Sequence, residues 1–103
     1  MILYHLSPNL FTRLSVKRSK GAKKRVWLCK FDNLLNLANH LYAHHGERMR
    51  YLYIFWVFPE DVTKFRDGIY HSYKDLLPIA YYKVKHQSQS TFEIIVGGRS
   101  LVN

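Results

Sequence analysis

One stretch of eight consecutive apolar or aromatic residues, 51–58, stands out in the hydrophobic pattern of the chain. It is too short to span a membrane, which takes about 20 apolar residues. β-branched and aromatic residues dominate it and Pro59 ends it, so the pattern predicts a strand rather than a buried helix. A strand that is apolar on both faces is covered on both faces. We therefore expect the other elements to pack around a central strand at about 49–58.

Two shorter runs of alternating character precede this stretch. Residues 2–6 predict a first strand that contains His5. Residues 26–31 predict a second strand, in which Trp27 and Cys29 share one face because successive side chains alternate. An apolar strand position favours a small buried thiol over a reactive one.

Helix signals follow both of these predicted strands. Ser7 before Pro8 is typical of a helix start, with a capping hydroxyl and a proline in the first turn. Asp32 predicts the N-cap of a longer helix at about 33–45, and Gly46 predicts its end. The apolar stripe of the longer helix consists of Leu34, Leu37, Ala38 and Leu41.

His40 and His44 lie four residues apart on the polar side of this predicted helix. That spacing places both rings on one face, where they can hold a metal ion. Histidines in a last helical turn also suit the negative end of the helix dipole. Since no carboxylate or cysteine lies nearby in the sequence to complete a site, we expect no metal centre.

The second half of the chain predicts turns and short strands. A helical turn is expected at 59–65, a tight turn at 67–68 and a brief strand at 69–70. A longer strand at 79–85 is followed by a hairpin over 91–102, whose paired glycines permit a two-residue loop. This order predicts an α+β fold with one main helix and a mostly antiparallel sheet, split or in two packed layers.

The composition indicates the number of domains, the cellular compartment and the class of partner. The 103 residues suit one domain, and the single cysteine excludes an intrachain disulfide. The first residues lack the basic and apolar regions of a signal peptide, so we expect a cytoplasmic protein that does not insert in a membrane. The net charge of +9 favours a phosphate-bearing or acidic partner: nucleic acid, a nucleotide cofactor or an acidic protein surface.

Much of this charge lies in one run between the first two predicted strands. Its six cations are Lys17, Arg18, Lys20, Lys23, Lys24 and Arg25. A solubilising loop and a phosphate-binding loop both fit the run. Loops that join rigid elements often carry function, and six charges within nine residues create a strong local field.

Three segments, taken in order, resemble the ADP-ribosyltransferase fold, the NAD-cleaving scaffold of bacterial toxins, poly(ADP-ribose) polymerases and RNA 2′-phosphotransferases. The first is 3–8 (LYHLSP), and the second is 25–29 (RVWLC), which precedes a helix. The third is 53–81, where a hydrophobic strand, an acidic turn, a Gly-aromatic-Ser segment (GIYHS) and a proline before a strand follow one another. The resemblance implies a small ADP-ribosyltransferase-like domain that binds NAD and transfers ADP-ribose or acts on an RNA phosphate.

The resemblance also implies roles for individual residues. His5 would bind the ribose of the nicotinamide half, with Ser7 beside it and Trp27 against the nicotinamide ring. Glu93 is the nearest candidate for the catalytic carboxylate of the family. Such a carboxylate stabilises the positive charge that develops on the sugar, and losing one preorganised group of this kind costs about 10²–10³ in rate.

The second hypothesis is a non-catalytic basic module that binds nucleic acid or an acidic partner protein, for example a small inhibitor from a virus or mobile element. The cationic run and the aromatic strands motivate it, because charge combined with stacking surfaces suits single strands. The positions of His5, Trp27 and Glu93 discriminate between the hypotheses. A shared cleft would favour catalysis, and separation across the core would favour the binding module.

Overall fold

The computed structural model describes residues 1–18, 23–45, 49–87, 93–96 and 99–102. This part of the chain contains one α-helix, α1 (Leu34–His45), between the second and third of its eight strands. The strands are β1 (Ile2–Ser7), β2 (Val26–Cys29), β3 (Tyr51–Trp56), β4 (Thr63–Arg66), β5 (Ile69–Ser72), β6 (Ala80–Gln87), β7 (Glu93–Val96) and β8 (Arg99–Val102). Short 3₁₀ turns occur at Val16–Arg18, Phe31–Asn33 and Pro59–Asp61.

The strands pair in the order β4-β5-β2-β1-β3-β6-β7-β8, and every pair is antiparallel. Six of them, from β4 to β6, form the main sheet, and the β7-β8 hairpin pairs with the far half of β6. The predicted α+β class with an antiparallel sheet is therefore confirmed. The described strands are hydrogen-bonded in one continuous order, and β6 alone connects the six-stranded part to the β7-β8 hairpin.

The sheet is covered on both faces, as the sequence of the third strand predicts. On one face α1 packs its buried Leu34 and Ala38 against Leu6, Cys29, Met49 and Leu52. The opposite face buries a second cluster, composed of Leu3, Leu14, Val26, Leu28, Tyr53, Phe55, Val57 and Tyr70. Residues 11–16 and Leu76 supply its cover, with Phe11, Val16 and Leu76 packed against the cluster and Leu14 bridged to Leu76. β3 thus sends Leu52 to one core and Tyr53 to the other.

The helix predicted to start at Ser7 is wrong, whereas the helix predicted at about 33–45 is confirmed as α1 but has a different N-cap. Ser7 ends β1, and its hydroxyl accepts the Asn9 N–H at 3.0 Å and donates to the Asn9 carbonyl at 2.8 Å, which makes a turn instead of a helix. The longer helix begins after the 3₁₀ turn Phe31–Asn33, whose N-cap is Lys30 without a side-chain bond, so Asp32 is not the cap. The predicted stop at Gly46 lies outside the described residues.

The segment after β3 is helical only at its start. The 3₁₀ turn Pro59–Asp61 matches the prediction, but Thr63–Arg66 forms an edge strand where the helical turn was expected to continue. The turn at Gly68 is confirmed, since its φ of +75° lies in the left-handed region that favours glycine. The predicted strand beyond it extends to Ser72 as β5.

Candidate functional site

His5 lies on an interior strand with its ring already engaged. Its Nδ1 lies 2.7 Å from the backbone carbonyl of Trp27 on the neighbouring strand. A carbonyl accepts and never donates, so the neutral ring carries its proton on Nδ1. Burial lowers the pKa of His5 and outweighs the opposing effect of that carbonyl. The geometry is that of a strand histidine whose donor is satisfied by the backbone.

The His5 and Trp27 side chains lie on opposite faces of the sheet. β1 and β2 are adjacent, and Tyr4 is paired directly with Cys29, so these two share a face. His5 follows Tyr4 and therefore points to the other face, whereas Trp27, two residues from Cys29, points to the same face as Cys29. The two strands are neighbours, but their imidazole and indole do not line one cleft.

Glu93 is also remote from His5. His5 is aligned with Tyr53 on β3, and Tyr53 with Tyr81 on β6. Ile94 pairs with Gln87, six residues further along β6, which is about 20 Å at a rise of about 3.3 Å per residue. The structure therefore brings together His5 and Ser7, two residues apart on one face of β1, and separates both from Trp27 and Glu93.

A row of aromatic rings surrounds Trp27 on its own face of the sheet. Trp27 pairs directly with His71 on β5, and their ring centroids are 5.3 Å apart. Phe65 of β4 packs edge-on against Trp27 at 5.0 Å, and Tyr73 packs edge-on against His71 at 5.4 Å. Phe65 is 54% exposed and Tyr73 is 56% exposed, so the two ends of the row face solvent.

Cations lie along this row. The guanidinium of Arg25 lies 4.4 Å from the centroid of the Trp27 ring, a cation–π contact. Arg66 lies over Phe65 at 5.7 Å. Together the six residues Arg25, Trp27, Phe65, Arg66, His71 and Tyr73 form what we call the basic aromatic surface.

The C-terminal part of the predicted cationic run adjoins this surface. Lys23 and Lys24 are exposed and lead directly into Arg25 and β2, while Lys17 and Arg18 are exposed in a 3₁₀ turn. Lys20 lies outside the described residues. The contribution of β4 was not predicted, although the pattern Lys64-Phe65-Arg66 already shows a ring between two cations.

His71 is the most unusual group of the surface. Its side chain belongs to a residue that is 7% exposed, and its buried Nδ1 has no hydrogen-bond partner in the described part of the chain. Burial, followed by the charges of Arg25 and Lys23, lowers the pKa of His71. At neutral pH the folded protein therefore favours a neutral His71 imidazole close to the charges of Arg25 and Lys23.

The opposite face carries an open groove of about 500 Å³ lined by Leu10, Phe11, Thr12, Pro78, Ile79, Ala80 and Tyr81. None of these side chains is charged. Phe11 stacks on Tyr53 with ring centroids 3.8 Å apart and meets the edge of His5 at 5.9 Å. An uncharged apolar groove offers no obvious counter-charge for a pyrophosphate.

No protein-family model, curated protein or solved structure matches this chain. Within the described ranges, no three histidine, cysteine, aspartate or glutamate residues cluster so as to hold a metal ion. Nor does that part of the chain contain a helix long and apolar enough to cross a bilayer.

Proposed function

We propose that this protein is a non-catalytic module that binds single-stranded nucleic acid through the basic aromatic surface. The observation that carries the proposal is Arg25 over Trp27 at 4.4 Å, within a row of rings whose two ends are exposed. Cations that follow a nucleic-acid backbone, next to rings that stack on bases, are the common design of single-strand binders. We place this binding in the cytoplasm, in keeping with a chain whose single cysteine forms no intrachain disulfide.

The exposed rings favour single strands over duplexes. Phe65 and Tyr73 present aromatic surface that an unpaired base can stack on, and each such contact contributes about 1–3 kcal/mol. In a duplex the bases are already stacked on one another, so only the phosphates would remain for Arg25, Arg66 and the lysines. We therefore expect a single-stranded oligonucleotide to bind more tightly than a duplex of the same length.

The electrostatic contribution to oligonucleotide binding is tested by its salt dependence. Fluorescence anisotropy with a labelled single-stranded oligonucleotide gives Kd over a series of salt concentrations. The logarithm of affinity should fall with the logarithm of salt by about 0.7 for each phosphate neutralised. Changing Lys17, Arg18, Lys23 and Lys24 to Gln should reduce that slope by up to about 3.

A matched control removes the same charge elsewhere. Arg13, Lys30, Arg50 and Lys83 are exposed and lie outside the basic aromatic surface. Changing these four to Gln should lower the affinity by a similar factor at every salt concentration and leave most of the salt slope in place. Equal loss of slope in both quadruple variants would contradict a localised site and would indicate only diffuse attraction to a basic protein.

The contribution of base stacking to oligonucleotide binding is tested separately. Phe65→Ala and Tyr73→Ala should each weaken binding by about 5–150-fold, which corresponds to about 1–3 kcal/mol, without changing the salt slope. Phe58→Ala removes an equally exposed ring, 53% accessible, outside the surface and should have no effect. An acidic partner protein would show the salt effect but not the loss on removing Phe65 and Tyr73.

ADP-ribosyl transfer on an ADP-ribosyltransferase-like fold is the second candidate. It is favoured by the adjacency of β1 and β2 and by His5 and Ser7 sharing a face. The positions of Trp27 and Glu93 support it less than they support a binding module. This candidate requires saturable NAD binding that His5→Ala weakens, with nicotinamide released by the wild type. Calorimetry that detects no binding at millimolar NAD would eliminate it.

A further inference from the structure

We propose that Lys23, Arg25 and His71 form a phosphate-binding site within the basic aromatic surface, and that His71 takes up a proton as the phosphate binds. The inference rests on the proposed function and specifies one element of it: where a phosphate of the nucleic acid is held. The ligand is a phosphate group, and the proton that His71 takes up comes from solvent.

The first argument is the unsatisfied polar atom. Buried side-chain nitrogens nearly always have a hydrogen-bond partner, so one without a partner calls for an explanation. His71 Nδ1 is such an atom, in a residue that is only 7% exposed. The ring lies edge-on against both Trp27 and Tyr73, and that nitrogen is buried there without a partner in the described residues. A site for an external group accounts for both facts.

The second argument is the charge around the ring. Lys23 and Arg25 both oppose protonation of His71 and help to lower its pKa. A phosphate bound between them would cancel their repulsion and add a negative charge next to the imidazole, and both effects raise the pKa of that group. The protonated ring donates from both nitrogens, and its bonds to an anionic oxygen are the charge-assisted kind.

Among the residues that the structure describes, no other group around His71 supplies a competing counter-charge. On β4 its direct partner is Thr63, and the flanking Lys64 is cationic. Of the described carboxylates nearest to His71 in the sequence, Asp67 lies 3.9 Å from Lys64, Asp75 accepts the Val16 N–H, and Asp61 is bonded to Lys74 at 2.6 Å. Tyr73, whose ring contacts His71, is 56% exposed, and exposed side chains rotate on the picosecond to nanosecond scale. A phosphate can therefore approach by displacing mobile side chains rather than the sheet.

The direct test follows the His71 ring nitrogens by NMR in the wild-type protein. A pH titration is recorded in chloride, then with inorganic phosphate at the same ionic strength, then with a single-stranded oligonucleotide. We expect the His71 pKa to rise in phosphate and in the oligonucleotide relative to chloride. Arg25→Gln should raise the pKa in chloride as well, because one of the opposing charges is gone.

The same site predicts how oligonucleotide affinity depends on pH. Affinity should increase as the pH falls from 8 to 5.5, by about tenfold for each unit by which binding raises the His71 pKa. His71→Gln should abolish most of this increase. His40→Gln, at an exposed position on α1, should retain it and serves as the matched control.

The outcomes separate the two proposals. If the oligonucleotide binds with the expected salt slope but the His71 pKa is the same in chloride and phosphate, the phosphate site is refuted and nucleic-acid binding stands. If no oligonucleotide binds at any pH, the proposed function fails, whereas a phosphate-induced rise of the His71 pKa would still support an anion site. Because the NMR titration uses the wild type, a destabilised His71→Gln variant does not affect it.

Discussion

His5 and His71 show at the scale of single residues how the same side chain serves two purposes. Both imidazoles lie on interior strands and both have a lowered pKa with burial as its largest cause. His5 is bonded to the Trp27 carbonyl at 2.7 Å, so its Nδ1 already has a partner. His71 Nδ1 has no partner in the described part of the chain and lies near Lys23 and Arg25. The chemistry available for binding is therefore at His71.

Gly68 is the position where backbone conformation constrains the residue most clearly. Its φ is +75°, and a Cβ added there would lie 2.1 Å from Asn33 Oδ1. Gly68→Ala should reduce the free energy of unfolding by at least about 1–2 kcal/mol, because an L side chain is strained at this φ even without the clash. Urea denaturation monitored by circular dichroism gives the value.

A second substitution divides that loss into its two causes. Asn33→Ala removes the clashing amide, so the double variant should recover the steric part and keep only the φ strain. An unfolding free energy for Gly68→Ala equal to that of the wild type would show that this turn is not left-handed in solution.

At the scale of elements, the segment between β1 and the cationic run is held on the sheet by a few specific bonds. The Phe11 N–H donates to the Tyr53 hydroxyl at 2.7 Å, and the Phe11 ring stacks on Tyr53. Further along, Leu14 and Leu76 exchange backbone hydrogen bonds, and the Val16 N–H donates to Asp75. These bonds replace the regular ladder that this irregular segment lacks.

Tyr53→Phe tests this attachment with a minimal change of shape. The variant leaves the Phe11 N–H without its acceptor, which costs about 1–3 kcal/mol when the group stays buried. We expect that loss in unfolding free energy, together with faster hydrogen exchange at the Phe11 amide. Tyr81→Phe, on a side chain that is 53% exposed, should change stability by less than about 0.5 kcal/mol. Similar losses in the two variants would argue against a specific role for the Tyr53 hydroxyl.

The same segment shows how far the sequence predicts the fold. Local signals located β1, β2, β3 and the helix, because each has a clear apolar run or period. Ser7 does make the local hydroxyl bond that begins many helices, but that bond also begins turns, and the distant Tyr53 decides where Phe11 lies. β4 was missed because all four of its residues are exposed, and only pairing with β5 makes it a strand.

The candidate site depends on which strands pair and in what register, and no local sequence pattern contains that information. Alternation correctly placed Trp27 on the same face as Cys29, and by the same rule His5 and its neighbour Tyr4 lie on different faces of β1. The Tyr4–Cys29 register decides which face of β1 coincides with which face of β2. This register places His5 and Trp27 on opposite faces of the sheet. The cationic run was readable in the sequence, but the placement of Arg25 and Trp27 beside Phe65 and His71 comes from the β2-β5-β4 order.

At the scale of the whole molecule, the two faces of the sheet divide the surface by chemistry. The face that carries Trp27 and His71 gathers cations along aromatic rings at the β4-β5-β2 end. The opposite face presents the uncharged groove between residues 10–12 and 78–81. A net charge of +9 makes self-repulsion part of the energetics of this fold, and every histidine that protonates adds to it.

Stability should therefore decline on mild acidification. Both His5 and His71 have a pKa below 6.5 in the folded chain, so below that pH the unfolded chain binds more protons than the folded one. Their contribution is fully present above pH 6.5 and is lost as the pH falls through the folded pKa, at up to about 1.4 kcal/mol per pH unit for each group within that window. Urea midpoints between pH 8 and pH 5 measure the decline, which His71→Gln should make shallower. Phosphate at constant ionic strength should make the decline shallower in the wild type, because a bound anion stabilises the protonated His71 of the folded chain. The His71→Gln variant lacks this imidazole, so phosphate should not change its decline. A midpoint that is constant from pH 7 to pH 5 would show that neither imidazole is held neutral by the fold.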